Sequence, residues 1–192
     1  MAVDWTVFQW FNNFAGRWPA LDTAVRLVMN DYALPTALVL LLFGLWFAGG
    51  SPAVREQHQR AVFSAIGSMV LGNLVVKAMN LVLYRPRPFA FRTVTLLFYR
   101  PSDSSFPSNA ASVGFSIATA VWLYNHRIGL LSYALATVFG LSRVVGGVHY
   151  PSDILGGALI GSMASYLIVR KFRLLDRLWT AIIVQLRRFL LA

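Results

Sequence analysis

Apolar residues run through this chain in blocks rather than stripes, and the blocks are too long and continuous for a water-soluble core. The pattern predicts spans at roughly 33–49, 61–84, 108–125, 128–144 and 152–170, or six spans if the apolar segment at about 19–31 is counted. The fold class expected is all-α: a polytopic membrane helical bundle of five to six transmembrane helices, forming one domain over residues 1–192. The first fifteen residues carry Trp5, Phe8, Trp10 and Phe11 without the basic start of a signal peptide, so an interfacial helix is expected there rather than a cleaved leader. The basic, apolar tail from Asp176 to Ala192 reads as a second interfacial helix, with a solvated end as the plainer alternative.

Composition agrees, at 57% hydrophobic and 12% charged. The net charge of +10 changes the picture only through its placement. Arg55 and Arg60, Arg127, and the tail from Arg170 to Arg188 fall on one side if the five spans alternate, and the positive-inside rule makes that side cytoplasmic. The 85–107 loop and the break around His149 then face outward, which places the protein in the plasma membrane with its site on the outer side. Nucleic acid is not an expected partner, because the basic residues are split between two faces and carry no binding motif. The absence of cysteine excludes disulfides, thiolate metal sites and cysteine nucleophiles.

Between the last two long blocks lies SRVVGGVHYPSD, Ser142 to Asp153. His58 and His126 sit in short basic breaks, where solvation accounts for them; His149 follows Gly146-Gly147 and precedes Pro151, at the entrance of a helix. A carboxylate one turn on, Asp153, can hold one ring nitrogen as a donor and leave the other a free lone pair, while Arg143 offers charge to an anion. In YRPRPFAFR, the proline-flanked Arg85 and Arg87 can fork onto phosphate oxygens, although a basic helix cap is the plainer reading. Lys77, inside an apolar run, is expected to point into the same pocket unless it snorkels to the interface. Ser108, with Asn109 after it, opens a helix whose first N–H groups would suit an anion; an ordinary Ser cap is the alternative. Phe89, Phe91, Leu96, Leu97 and Phe98 either guide a lipid chain or form an interfacial belt.

Together these stretches resemble the type 2 phosphatidic acid phosphatase superfamily. Its three motifs are Lys followed after six residues by Arg-Pro, then Pro-Ser-Gly-His, then Ser-Arg, five residues, His, three residues, Asp. The third matches fully at Ser142, Arg143, His149 and Asp153; the resemblance covers about residues 60–170 and is most like the bacterial undecaprenyl-pyrophosphate phosphatase branch. It implies a lipid phosphate substrate, His149 as a nucleophile forming phosphohistidine, Asp153 orienting it, Arg87 and Arg143 on the phosphoryl oxygens, the helix start at Ser108 and Asn109 completing the cradle, and no metal or cofactor.

Two departures stand out. The first-motif lysine is replaced by Asn80 or Ala78, depending on which arginine is counted, with Lys77 as the substitute. The second-motif histidine, which protonates the leaving group and then activates water, is Ala110. That loss of acid-base catalysis predicts a nearly inactive chain or one stalled at an intermediate. An engineered inactivating change is the favoured explanation, because the other catalytic groups are in place; a natural pseudoenzyme and a replacement acid, for which Asp103 is the nearby candidate, compete with it. The expected reaction is undecaprenyl diphosphate to the monophosphate plus phosphate. Phosphatidylglycerophosphate or phosphatidic acid hydrolysis and non-catalytic lipid-phosphate binding are the alternatives.

Overall fold

The computed structural model describes residues 2–171 and 173–188. Each apolar block becomes a helix, and local signals set its ends. The order is α1 (Ala2–Asn12), α2 (Pro19–Met29), α3 (Ala33–Phe47), α4 (Pro52–Val82), α5 (Asn109–Tyr124), α6 (His126–Val145), α7 (Pro151–Arg170) and α8 (Arg173–Arg188), with a short 3-10 turn at Pro88–Ala90. Ser51 caps α4 by accepting from the Val54 N–H, with Pro52 in the first helical position. Ser108 does the same for Ala111 at α5, and Asn125 for Ile128 at α6.

Helices α3 to α7 run back and forth between two ends of a bundle whose centre is α5, packed against α4, α6 and α7. The contacting faces are small and polar rather than bulky. A Cβ on Gly157 would lie 2.2 Å from the Ser108 carbonyl oxygen and one on Gly161 2.2 Å from that of Ser112, so α5 and α7 touch backbone to backbone through a four-residue glycine repeat. The Ser165 hydroxyl donates to the Ser116 carbonyl across this seam at 2.7 Å. On α3, Leu34, Leu38, Leu42 and Leu45 pack against Ala61, Val62, Ala65, Ile117 and Val121, while Val39, Leu40, Phe43 and Phe47 face outward. An apolar face left outside a packed bundle suits lipid.

The membrane-crossing count differs from the pattern's five to six. Among the described residues, α4, α6 and α7 are each long and apolar enough to cross, and the pair α2 and α3, bent by 54°, would add one broken span. α5, at 16 residues, is about 24 Å long and is buried for most of its length. α2 is no sixth span: its Val25 and Met29 pack with Leu97 and Val148 at the end of the bundle where the loops gather.

One further expectation shifts and one stands. His58 is buried rather than solvated; its Nδ1 lies 3.0 Å from the Ala48 carbonyl and its Nε2 3.2 Å from the Asn125 amide, tying three helices together at the end away from the loops. The tail does form a helix, α8, whose Trp179 ring stacks on Phe63 at 5.0 Å. Residues 189–192 of the predicted tail lie outside the described residues.

Candidate active site

Asp153 occupies the third position of α7 and accepts from the Tyr150 N–H at 2.8 Å, an acidic cap reaching back over the first turn. The same carboxylate, fully buried, accepts from the Ser105 hydroxyl at 2.5 Å and from Arg85 Nη1 at 2.6 Å. Arg85 also reaches Asp4 of α1 at 2.6 Å and lies over the Tyr150 ring, and Asp4 binds the backbone N–H and hydroxyl of Ser152. Burial opposes ionisation of Asp4, but the hydrogen bonds from Ser152 and Arg85 outweigh it and hold its pKa below the ordinary carboxylate value. Arg85 is therefore a support behind Asp153 and does not line the cavity shared by Arg87, Arg143 and His149, where its phosphate contact was expected; it lines a separate one with Trp5, Arg92 and Tyr150.

His149 sits just before this helix. Gly147 at φ +85° turns the chain where a Cβ would meet the Thr95 carbonyl at 2.7 Å, and so delivers the imidazole inward. Its Nδ1 is 2.9 Å from the Ser105 carbonyl oxygen and 3.6 Å from Asp153. A carbonyl only accepts, so Nδ1 carries the proton and Nε2 keeps its lone pair. The direct orienting partner is thus Ser105, with Asp153 acting beside it through the Ser105 hydroxyl. Burial, then the positive charge of Arg87 and Arg143, holds the imidazole pKa below its ordinary value against the pull of Asp153. The ring is neutral at physiological pH, the form a nucleophile requires.

Nε2 meets Arg87 Nη1 at 3.2 Å. It faces a cavity of about 420 Å³ lined by Arg87, Arg143, His149, Asp31, Tyr99, Asp103, Asn109 and Ala110, among others. Arg87, itself buried, is held by the Val148 carbonyl at 2.9 Å and by the carbonyl and carboxylate of Asp103 at 3.1 and 2.8 Å. Arg143 lies between the Phe98 and Phe139 rings and donates to Asp31 at 2.6 Å, while its buried Nε has no partner. A buried, unpaired guanidinium N–H is costly until an anion arrives. Asn109 and Ala110, whose N–H groups at the start of α5 have no intrahelical acceptor, line the same cavity.

The predicted set therefore divides. His149, Arg87, Arg143, Asn109 and Ala110 line one cavity, and Asp153 backs it. Ser108 is buried beneath it; its N–H is spent on the Asp153 carbonyl at 3.0 Å and its hydroxyl on the Ala111 N–H, so it holds the cradle without lining it. Lys77 is exposed on α4 and does not reach the cavity, which corrects its role as a stand-in for the motif lysine. Four contributors were missed by the sequence reading: Asp4, Ser105, Asp31 and Tyr99. A lone carboxylate within an aromatic helix, and another between two apolar blocks, were the available signals for Asp4 and Asp31. The loop aromatics form no continuous belt: Leu97 is buried, with Phe89, Leu96 and Phe98 packed against its cluster, and Phe91 stays exposed.

Residues 61–177 match the PAP2 superfamily. The chain belongs to that superfamily. It is 28% identical to undecaprenyl-diphosphatase BcrC of Bacillus subtilis over 88% of this chain and 83% of that one. It is also 35% identical to the putative undecaprenyl-diphosphatase YbjG of Escherichia coli over 67% of this chain and 63% of that one. Among solved structures, Aquifex aeolicus LpxE superposes with a TM-score of 0.68 at 27% identity, covering 88% of this chain and 96% of that one.

Proposed function

We propose that this chain hydrolyses a polyprenyl diphosphate, of the undecaprenyl diphosphate class, to the lipid monophosphate and inorganic phosphate through a phosphohistidine on His149. The observation that carries the reading is the imidazole itself: the Ser105 carbonyl on Nδ1 leaves Nε2 unprotonated, accepting an Arg87 N–H on the wall of a cavity that Arg143 also lines. Nε2 attacks the terminal phosphorus while Arg87 and Arg143 hold the phosphoryl oxygens as charge gathers on them. Arg87 Nη1 turns its N–H from Nε2 to the substrate's phosphate, while Asp103 and Asp31 keep the two guanidiniums aimed at the cavity. Water then attacks the phosphohistidine and returns His149 to its neutral form. The groups assigned to these steps are side chains and backbone N–H donors, so no metal is required. Ala110 withdraws one of the family's two proton-transfer groups and slows any step that depends on it.

The names of the similar undecaprenyl-diphosphatases support the choice of lipid. The end of the bundle away from the site carries Arg55, Arg60, Arg127, Arg170 and Lys171, which supports a cytoplasmic placement for that end and an outward-facing site in the plasma membrane. The test is phosphate release from undecaprenyl diphosphate by the purified chain, with His149→Ala as the blank and acid-labile label on the protein as the sign of the intermediate. Release that survives His149→Ala would sink the reading.

A further inference from the structure

The side chain at position 110 decides which phosphorus-oxygen bond this cavity can break. Resting on the reading that His149 is the nucleophile of a phosphatase, we infer that the chain is selective for lipid diphosphates, cleaved at the anhydride bond, over lipid phosphate monoesters.

When Nε2 forms its bond to phosphorus, the opposite phosphorus-oxygen bond breaks and its electron pair leaves on that oxygen. In a monoester the oxygen belongs to an alcohol, about as weak an acid as water, so it needs a proton as it departs. The cavity offers no ready one. Ala110 and its neighbours Asn109, Pro107 and Val113 carry no acid. Asp103 and Asp31 both accept hydrogen bonds from guanidiniums, at 2.8 and 2.6 Å, and act here as acceptors. The Tyr99 hydroxyl is spent on Asp31 at 2.9 Å, and burial together with that carboxylate pushes its pKa above the ordinary value.

In a diphosphate the bridging oxygen leaves on a phosphate monoester, whose second pKa is roughly 6. It departs at neutral pH without a proton and needs only positive charge around it. That is what the cavity has kept: Arg87, Arg143 with its unpartnered Nε, and the first N–H groups of α5. In the second half of the cycle water's oxygen bonds to phosphorus, Nε2 recovers its electron pair, and the water's proton needs an acceptor. The Asp103 carboxylate is placed for this, 65% exposed and separated from Nε2 only by the Arg87 guanidinium it shares. Inorganic phosphate leaves and the proton passes to solvent.

The experiment compares dodecyl diphosphate with dodecyl phosphate, which share one tail, and adds p-nitrophenyl phosphate, a monoester whose phenolate leaves without help. Initial rates of phosphate release are measured for the chain and for Ala110→His. The chain is expected to cleave the diphosphate and the aryl ester at least a hundredfold faster than dodecyl phosphate. Ala110→His is expected to raise the dodecyl phosphate rate by about a hundredfold or more, and the diphosphate rate by a factor at least ten times smaller. Retained diphosphate turnover in the variant reports an intact fold. Comparable rates on the two dodecyl substrates, or an equal gain on both, overturn the selectivity while leaving the phosphatase reading standing. No release from any substrate by either version overturns the phosphatase reading and the selectivity with it. With diphosphate, Asp103→Asn is expected to accumulate acid-labile phosphohistidine; its failure to do so removes Asp103 from the second step.

Discussion

The two sides of the cavity are built to different standards. On the side of the nucleophile, His149, Asp153 and Ser105 are buried, and a chain of hydrogen bonds runs from Asp4 through Arg85 and Asp153 to Ser105 and the imidazole. On the side of the leaving group, Asn109 is exposed, Ala110 is half-buried and inert, and the two carboxylates are 65% and 38% exposed. In the proposed reaction, attack is prearranged by packing and departure is left to electrostatics. A site of this kind is fast only where the leaving group can look after its own charge.

The largest break in that contrast comes from the nucleophile. His149→Ala is expected to lower turnover by about ten-thousandfold or more, measured as phosphate release, and to abolish labelling of the protein. Arg143→Ala, which takes away a charge from the phosphoryl group, is expected to cost about 10²–10³ in kcat against diphosphate. A loss confined to KM would mean that Arg143 binds the ground state and the transition state alike.

Smaller effects probe what supports the two sides. Gly161→Ala places a Cβ 2.2 Å from the Ser112 carbonyl and is expected to destabilise the fold by about 1–3 kcal/mol, read from denaturation in detergent. Ser105→Ala removes one donor from the buried Asp153 carboxylate and is expected to cost about 1–3 kcal/mol of stability; an unchanged midpoint would mean that Arg85 and the Tyr150 N–H suffice.

The smallest effect is that of pH. Burial, followed by the charge of Arg87, lowers the His149 pKa, so the neutral nucleophile persists below the ordinary histidine value of about 6.5, and the acid limb of kcat/KM should lie under it. Stability has the matching sign. Below about 6.5 the unfolded chain binds a proton at this residue that the folded chain does not, so the contribution is complete above that pH and is lost as pH falls towards the folded value. An acid limb at or above 6.5 would contradict the burial of the ring.

Much of this was legible because it is written locally. Helix blocks, the cap at Ser108, and the spacing of Ser142, Arg143, His149 and Asp153 depend on residues close in sequence, where periodicity and turn geometry act directly. Lys77 was misplaced because one apolar helix has several faces, and only packing tells which one meets the cavity. Arg85 and Arg87 look alike in RPRP, yet extended backbone sends one to Asp4 and Asp153 and the other to His149.

By itself, then, the sequence determined an all-helical membrane bundle, its family, the candidate nucleophile and the absence of a histidine at position 110, since each of these is a matter of composition or short-range spacing. The tertiary structure alone decided that the Ser105 carbonyl is nearer the imidazole than Asp153, that Asp4 and Asp31 belong to the site, and that α2 packs at one end of the bundle. Those outcomes rest on hydrogen bonds and burial between residues as far apart as 148 positions, and no local pattern encodes which distant groups will meet.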